Sequence, residues 1–141
     1  MALSTRFTVA LHVLTLLAAG RGEPMTSEYI AGSVNTNPVV VRRLLALLRE
    51  AGFVTSQPGN GGGWELAVNP EKLTLEKVRQ AVQEESPFSM HSRQPNQRCP
   101  VGKKIQGVLG PLYVRAEKAM EGELAKTTVQ SLLSAVQVAE K

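Results

Sequence analysis

The sequence predicts a mainly α-helical chain with one small β-hairpin and a long helix toward its end. Apolar residues recur at helical spacing up to about residue 51. The period then shortens to two on either side of a run of glycines, the pattern of a hairpin. From Val101 to about Leu124 a helical apolar stripe returns, ahead of one more short helical pattern.

The first helix is expected over Ser4 to Ala19, stopped by Gly20, Gly22 and Pro24. Its stripe is Phe7, Ala10, Leu11, Leu14, Leu17 and Ala18. Thr26 opens a short second helix from Ser27 to about Ser33, which Asn35-Thr36-Asn37 breaks. Asn37 then caps a third helix with Pro38 at its first position, where a missing N–H costs nothing. Val40, Val41, Leu44, Leu45 and Leu48 repeat along it until Ala51-Gly52.

Phe53 to Gln57 reads as a strand, Pro58 to Gly63 as a turn, and Trp64 to Val68 as the returning strand. A helix capped by Thr74 follows, with Leu75, Val78, Ala81 and Val82. Residues 86–100 are rich in Ser, Pro, Gln, Asn and Arg, as a linker would be. Gly110-Pro111 predicts a kink or a break in the long helix. Thr127 or Thr128 caps the last one, which carries Val129, Leu132, Leu133 and Val136.

Composition limits the chemistry. The chain has 141 residues, 16 Lys+Arg and 12 acidic residues, and every acid is Glu. An EF-hand loop needs leading Asp residues, and a hydrolytic triad needs a His in a motif context, which neither His12 nor His91 has. A structural zinc site takes about four Cys or His ligands, and Cys99 with the two histidines falls short of that. No enzymatic activity, metal or cofactor is therefore expected. A lone cysteine makes no intrachain disulfide, which favours a reducing compartment. Phe7 to Ala19 superficially resembles a signal peptide, but it is too short to span a bilayer and is amphipathic. A cytoplasmic core helix without membrane contact is the expectation.

Three helices followed by a glycine-tipped hairpin is the element order of a winged helix-turn-helix, in which the second and third helices form a DNA-reading pair. With Val40, Leu44, Leu45 and Leu48 inward, Val39, Arg42, Arg43 and Ala46 occupy the outer face of the third helix. Asn35, Thr36 and Asn37 crowd its N-terminus, the end that enters the major groove. Arg pairs bidentately with guanine, Asn with adenine, and valine contacts the thymine methyl. Thr26, Ser27 and Asn37 stand at helix N-termini, where phosphates bind. Gln57 and Asn60 are candidate polar contacts on the wing, whose glycines allow close approach to the minor groove. Each sign has a plainer reading: paired arginines as a solvated face, Asn-Thr-Asn-Pro as a turn and cap. No Lys-Ser/Thr follows the glycines, so they do not make a P-loop. Order and spacing together favour double-stranded DNA.

Phe53-Val54-Thr55-Ser56, Gly59-Asn60-Gly61-Gly62-Gly63-Trp64-Glu65-Leu66-Ala67, Pro70, Leu73-Thr74-Leu75 and Val78 resemble the wing signature of the Rrf-two (IscR/NsrR/CymR-like) family of bacterial regulators. The likeness extends upstream through Ile30-Ala31, Val40 and Leu44, and downstream through Cys99-Pro100-Val101-Gly102. It implies a homodimeric winged-helix transcription factor, usually a repressor, acting on a palindromic operator. Residues 1–85 would be the winged helix-turn-helix domain, 86–100 a linker, and 101–141 the dimerisation helix with the C-terminal helix. Ile105, Val108, Leu109, Leu112, Ala116 and Met120 would face the twofold mate. The stripe fits that role, since a long apolar face needs cover; folding back on its own domain is the alternative.

Cluster-binding members of that family use three cysteines near the start of the long helix, where this chain has only Cys99. Iron–sulphur ligation normally takes four Cys, some replaceable by His, so an atypical cluster sensor is a remote alternative. Cys99 precedes Pro100 with Arg98, Lys103 and Lys104 close by, surroundings that raise thiol reactivity. Redox sensing through Cys99 and a capping or packing role both fit. A regulator that works by binding a metabolic enzyme through its C-terminal helices is a further alternative.

Overall fold

The computed structural model describes residues 4–139. The element order is α1 (Arg6–Ala19), α2 (Ser27–Val34), α3 (Pro38–Glu50), β1 (Val54–Gln57), β2 (Gly63–Leu66), α4 (Leu75–Ala81), α5 (Pro100–Ala125) and α6 (Val129–Ala139). This is the mainly helical fold with one hairpin, and with the long helix in its expected place. Residues 1–3 and 140–141 of the expected domain spans lie outside the described residues.

Among the described residues, 4–84 and 124–139 form one compact unit and 85–123 a second. In the first, α1 is the central element. Ala10, Val13, Leu14 and Leu17 are buried along it, and α2, α3, α4, α6 and β2 all pack against it. The buried face is centred nearer Val13 than the expected stripe, and Phe7, Leu11 and Ala18 are only partly covered. Ile30 and Ala31 from α2, Val41, Leu44, Leu45 and Leu48 from α3, Val78 from α4 and Val129 from α6 complete the core.

The caps follow the sequence. Thr26 Oγ1 accepts from Tyr29 N at 3.1 Å, and Asn37 Oδ1 accepts from Val39 N at 2.8 Å. Thr74 Oγ1 accepts from Lys77 N at 3.3 Å. Each such cap stabilises its helix by about 1 kcal/mol. Asn35 ends α2 in the left-handed conformation with φ 65°, a region Asn tolerates better than most residues. One assignment on α3 changes. Val41 is fully buried whereas Val40 is half exposed, so Val41 takes the inward place expected for Val40. Three valines in succession offer two registers, and the packing of α3 in the core selects the one that buries Val41.

β1 and β2 pair antiparallel, with Val54 opposite Leu66, Thr55 opposite Glu65, Ser56 opposite Trp64 and Gln57 opposite Gly63. Met25 adds a short bridge on the far side of β2: its N donates to Trp64 O at 2.9 Å, and Trp64 N donates to Met25 O at 2.7 Å.

Among the described residues, most of α5 groups with the second unit and α6 with the first. Thr128, not Thr127, caps it, accepting from Ser131 N at 3.1 Å. Val129 N donates to Leu73 O and Leu75 N to Thr127 O, both at 2.9 Å. Those bonds, together with the buried Val129 and Leu133, hold α6 beside the start of α4.

In the second unit, residues 86–99 run outside regular helix or strand. Phe88 stacks on Tyr113 with ring centroids 5.2 Å apart, and Ser86 Oγ donates to Glu117 Oε2 at 3.2 Å. α5 continues for 26 residues through Pro111. The break allowed at Gly110-Pro111 does not occur. No residue of α5 is buried. Among the described residues, no helix is long and apolar enough to cross a membrane.

Candidate nucleic-acid interface

The exposed side of α3 carries Val39, Arg42 and Arg43, with Val39 47% accessible. Burial of Val41, Leu44, Leu45 and Leu48 on the opposite side fixes that orientation. Asn35 and Asn37 are exposed at the α2–α3 turn, and Thr36 is partly covered. Ala46, expected on the outer face, is also partly covered. Arg42 reaches across to α2, where its Nη2 donates to Glu28 Oε1 in an exposed ion pair. Such an exposed pair contributes only about 0–1 kcal/mol to stability.

The hairpin is fastened to both helices through Trp64. Its Nε1 donates to Ser27 Oγ at 3.3 Å, and the Arg49 guanidinium lies over its ring at 5.5 Å from the centroid. Ser27, at 8% exposure, is buried beneath that contact. Thr26, beside it, is exposed and keeps its place at the helix N-terminus.

At the wing, Asn60 is exposed in the turn, and Gln57 Nε2 donates to Glu65 Oε1 across the strands. Two of the wing glycines have internal tasks. A Cβ on Gly63 would lie 2.5 Å from Met25 O, at φ +145°, and one on Gly62 would lie 2.1 Å from Gln57 O. Close approach of neighbouring backbone therefore demands glycine at both positions.

The structure adds Arg6, which the sequence reading did not select. Arg6 and Val9 of α1 line one cleft with Val40, Arg43 and Leu47 of α3, and Arg6 Nη2 donates to Gln83 O at 3.2 Å. Its place near the start of the first helix was the available signal, but only the packing of α1 on α3 brings it beside Arg43.

On α5, Val108 and Leu112 are exposed at 66% and 47%. Ile105, Leu109, Ala116 and Met120 are partly covered. Cys99 is exposed at the start of α5, and its Sγ accepts from Gly102 N at 3.5 Å. His91 is exposed, with Nδ1 3.4 Å from Gln106 Nε2; His12 Nε2 lies 2.9 Å from Ser33 Oγ.

Residues 3–135 match the family model described as Rrf2: Iron-dependent Transcriptional regulator. YwnA of Bacillus subtilis (strain 168), named as an HTH-type transcriptional regulator, is 42% identical over 133 residues, 94% of this chain and 97% of its own. A crystal structure described as that of a DNA-binding protein superposes with a TM-score of 0.72 at 40% identity, over 91% of this chain and 98% of its own. CymR, the global cysteine regulator of B. subtilis, superposes with a TM-score of 0.71 at 25% identity, over 96% and 98%. The iron in the family description is not matched by ligands here. Cys99 is the one cysteine, and among the described residues no three His, Cys, Asp or Glu side chains gather into a metal-holding group. The residues do not fit a thiolate-held cluster. A helix-turn-helix with an attached wing, matched along nearly its whole length to regulators rather than enzymes, places the chain in the Rrf2 family of DNA-binding transcriptional regulators.

Proposed function

We propose that the chain is a cytoplasmic repressor that binds a palindromic operator as a homodimer. Arg42 and Arg43, with Asn35, Thr36, Asn37 and Val39, read the major groove, while Thr26, Asn60 and Gln57 contact the backbone and the adjacent minor groove. The observation that carries this reading is the exposed face of α3, which is free of acidic residues from Asn35 through Arg49 and fastened to α2 and the wing through Arg42 and Trp64. Dimerisation through α5 is supported by Val108 and Leu112 standing exposed on a long helix that buries none of its residues. Twofold pairing would set two recognition helices about one DNA turn, or a multiple of it, apart.

Selection of bound duplexes from genomic fragments, followed by transcription from the selected promoter with and without protein, tests the proposal. The expected result is an inverted-repeat site and a lower transcript yield. A single non-repeated site, or a raised yield, overturns the dimeric repressor.

The exposed thiol of Cys99 at the start of α5 supports an oxidant input to the same regulator. With peroxide, the thiol becomes a sulphenic acid: sulphur gains one peroxide oxygen and water leaves.

A further inference from the structure

We infer that Glu28 is a positioning residue for base reading: it orients the Arg42 guanidinium and opposes indiscriminate grip on DNA. The inference rests on the reading of α3 as the helix that enters the major groove.

Glu28 is the second residue of α2, and its Oε1 takes a hydrogen from Arg42 Nη2 on α3. The side chains are 65% and 51% accessible for Glu28 and Arg42, too open for their attraction to add much to stability. A favourable interaction with the α2 N-terminus accounts for an acid in that turn, but not for its contact with the arginine. The contact bears on recognition instead. A guanidinium has five N–H donors in a flat fork, and Glu28 engages the Nη2 side, leaving other donors for the paired acceptors of guanine. A long side chain already held in one arrangement loses less freedom on binding than a mobile one.

The carboxylate has a second effect through its position. It lies two residues from Thr26, at a helix end otherwise suited to phosphate. A negative charge there repels the backbone of every duplex, whatever its sequence. It also offsets the positive charge of Arg42 until that side chain finds a base. Glu28 thus lowers the sequence-independent part of binding while favouring the sequence-dependent part. The acid of the wing, Glu65, engages the neutral Gln57 instead.

The test is selection from a random duplex pool at fixed salt by the unsubstituted protein and by Glu28→Ala, Glu28→Gln and Arg42→Ala. Affinities are then measured for the selected site, for single base-pair variants of it and for an unrelated duplex, with folding checked by circular dichroism. Arg42→Ala should lose preference at one position per half-site by roughly 5- to 150-fold, the range a bidentate pair supplies. Glu28→Ala should weaken preference at that same position and tighten binding to the unrelated duplex. Glu28→Gln keeps an acceptor without the charge, so it should tighten unrelated binding while retaining the preference. Unaltered discrimination in Glu28→Ala, with Arg42→Ala behaving as expected, overturns the role of Glu28 alone. Unaltered discrimination in Arg42→Ala overturns the base-reading assignment as well.

Discussion

Trp64 Nε1 donates to Ser27 Oγ at 3.3 Å, joining the second strand of the wing to the first residue of α2. With Arg49 over the same ring and Met25 paired to the Trp64 backbone, the indole fixes where the wing stands relative to the helix pair. Ser27→Ala leaves a partly buried N–H without its acceptor, at a cost of about 1–3 kcal/mol. Trp64→Phe removes the donor and keeps a ring for Arg49. Urea denaturation of both single variants and the double variant should show less than additive losses; additive losses would mean that the bond is not formed.

Arg6 borders one cleft with Arg43, at the edge of the reading face, which makes Arg6 a candidate for phosphate contact. Arg6→Ala should weaken binding about equally for operator and unrelated duplex, and lower the slope of log affinity against log salt by about 1. Arg43→Ala, as the loss of a base contact, should instead cost about 1–3 kcal/mol at the operator and relax one position. Titrations at several salt concentrations separate the two behaviours.

Glycine positions divide by their surroundings. Gly63→Ala must place a methyl against the Met25 carbonyl at φ +145°, and a loss of about 1–3 kcal/mol is expected from strain of that kind. Gly32, within α2, has open space around its missing Cβ. Gly32→Ala should raise stability by about 0.5–1 kcal/mol. Thermal melting of the two variants checks both signs.

On α5, Leu112 is 47% exposed. If α5 pairs with its mate, Leu112→Glu puts like charges into an apolar seam. Sedimentation should then show monomers, with α1 to α4 still folded and operator affinity much reduced. A dimer that survives Leu112→Glu and a matching Val108→Glu would move the interface elsewhere.

Operator binding should weaken after peroxide treatment and recover with a thiol reductant. Cys99→Ser should make binding indifferent to peroxide, since the chain has no second cysteine. Sensitivity that persists in Cys99→Ser would assign the oxidant effect to another group, such as a methionine.

Much of the fold was legible because its signals are local. The caps at Thr26, Asn37 and Thr74 and the period change at Phe53 need only neighbouring residues to act. What was not legible depends on partners distant along the chain. Nothing beside Ser27 in the sequence shows that its hydroxyl accepts from Trp64, 37 residues later. Arg42 reads as a free cation until α2 brings Glu28 to it from 14 residues away. Val40 and Val41 cannot be ranked by periodicity, since both fall on the apolar arc; the packing of α3 decides. The glycines of the wing were visible, but the internal demand at Gly62 and Gly63 depends on the carbonyls of Gln57 and Met25.

The return of α6 to the first unit has a consequence for biosynthesis. Val129 and Leu133 complete a core that begins at Ala10, so the reading unit stays unfinished while α5 is being made. A nascent chain therefore holds an incomplete core until α6 has left the ribosome. Premature termination within α5 would leave α1 partly uncovered, a substrate for quality-control proteases rather than a shortened regulator competing for the operator.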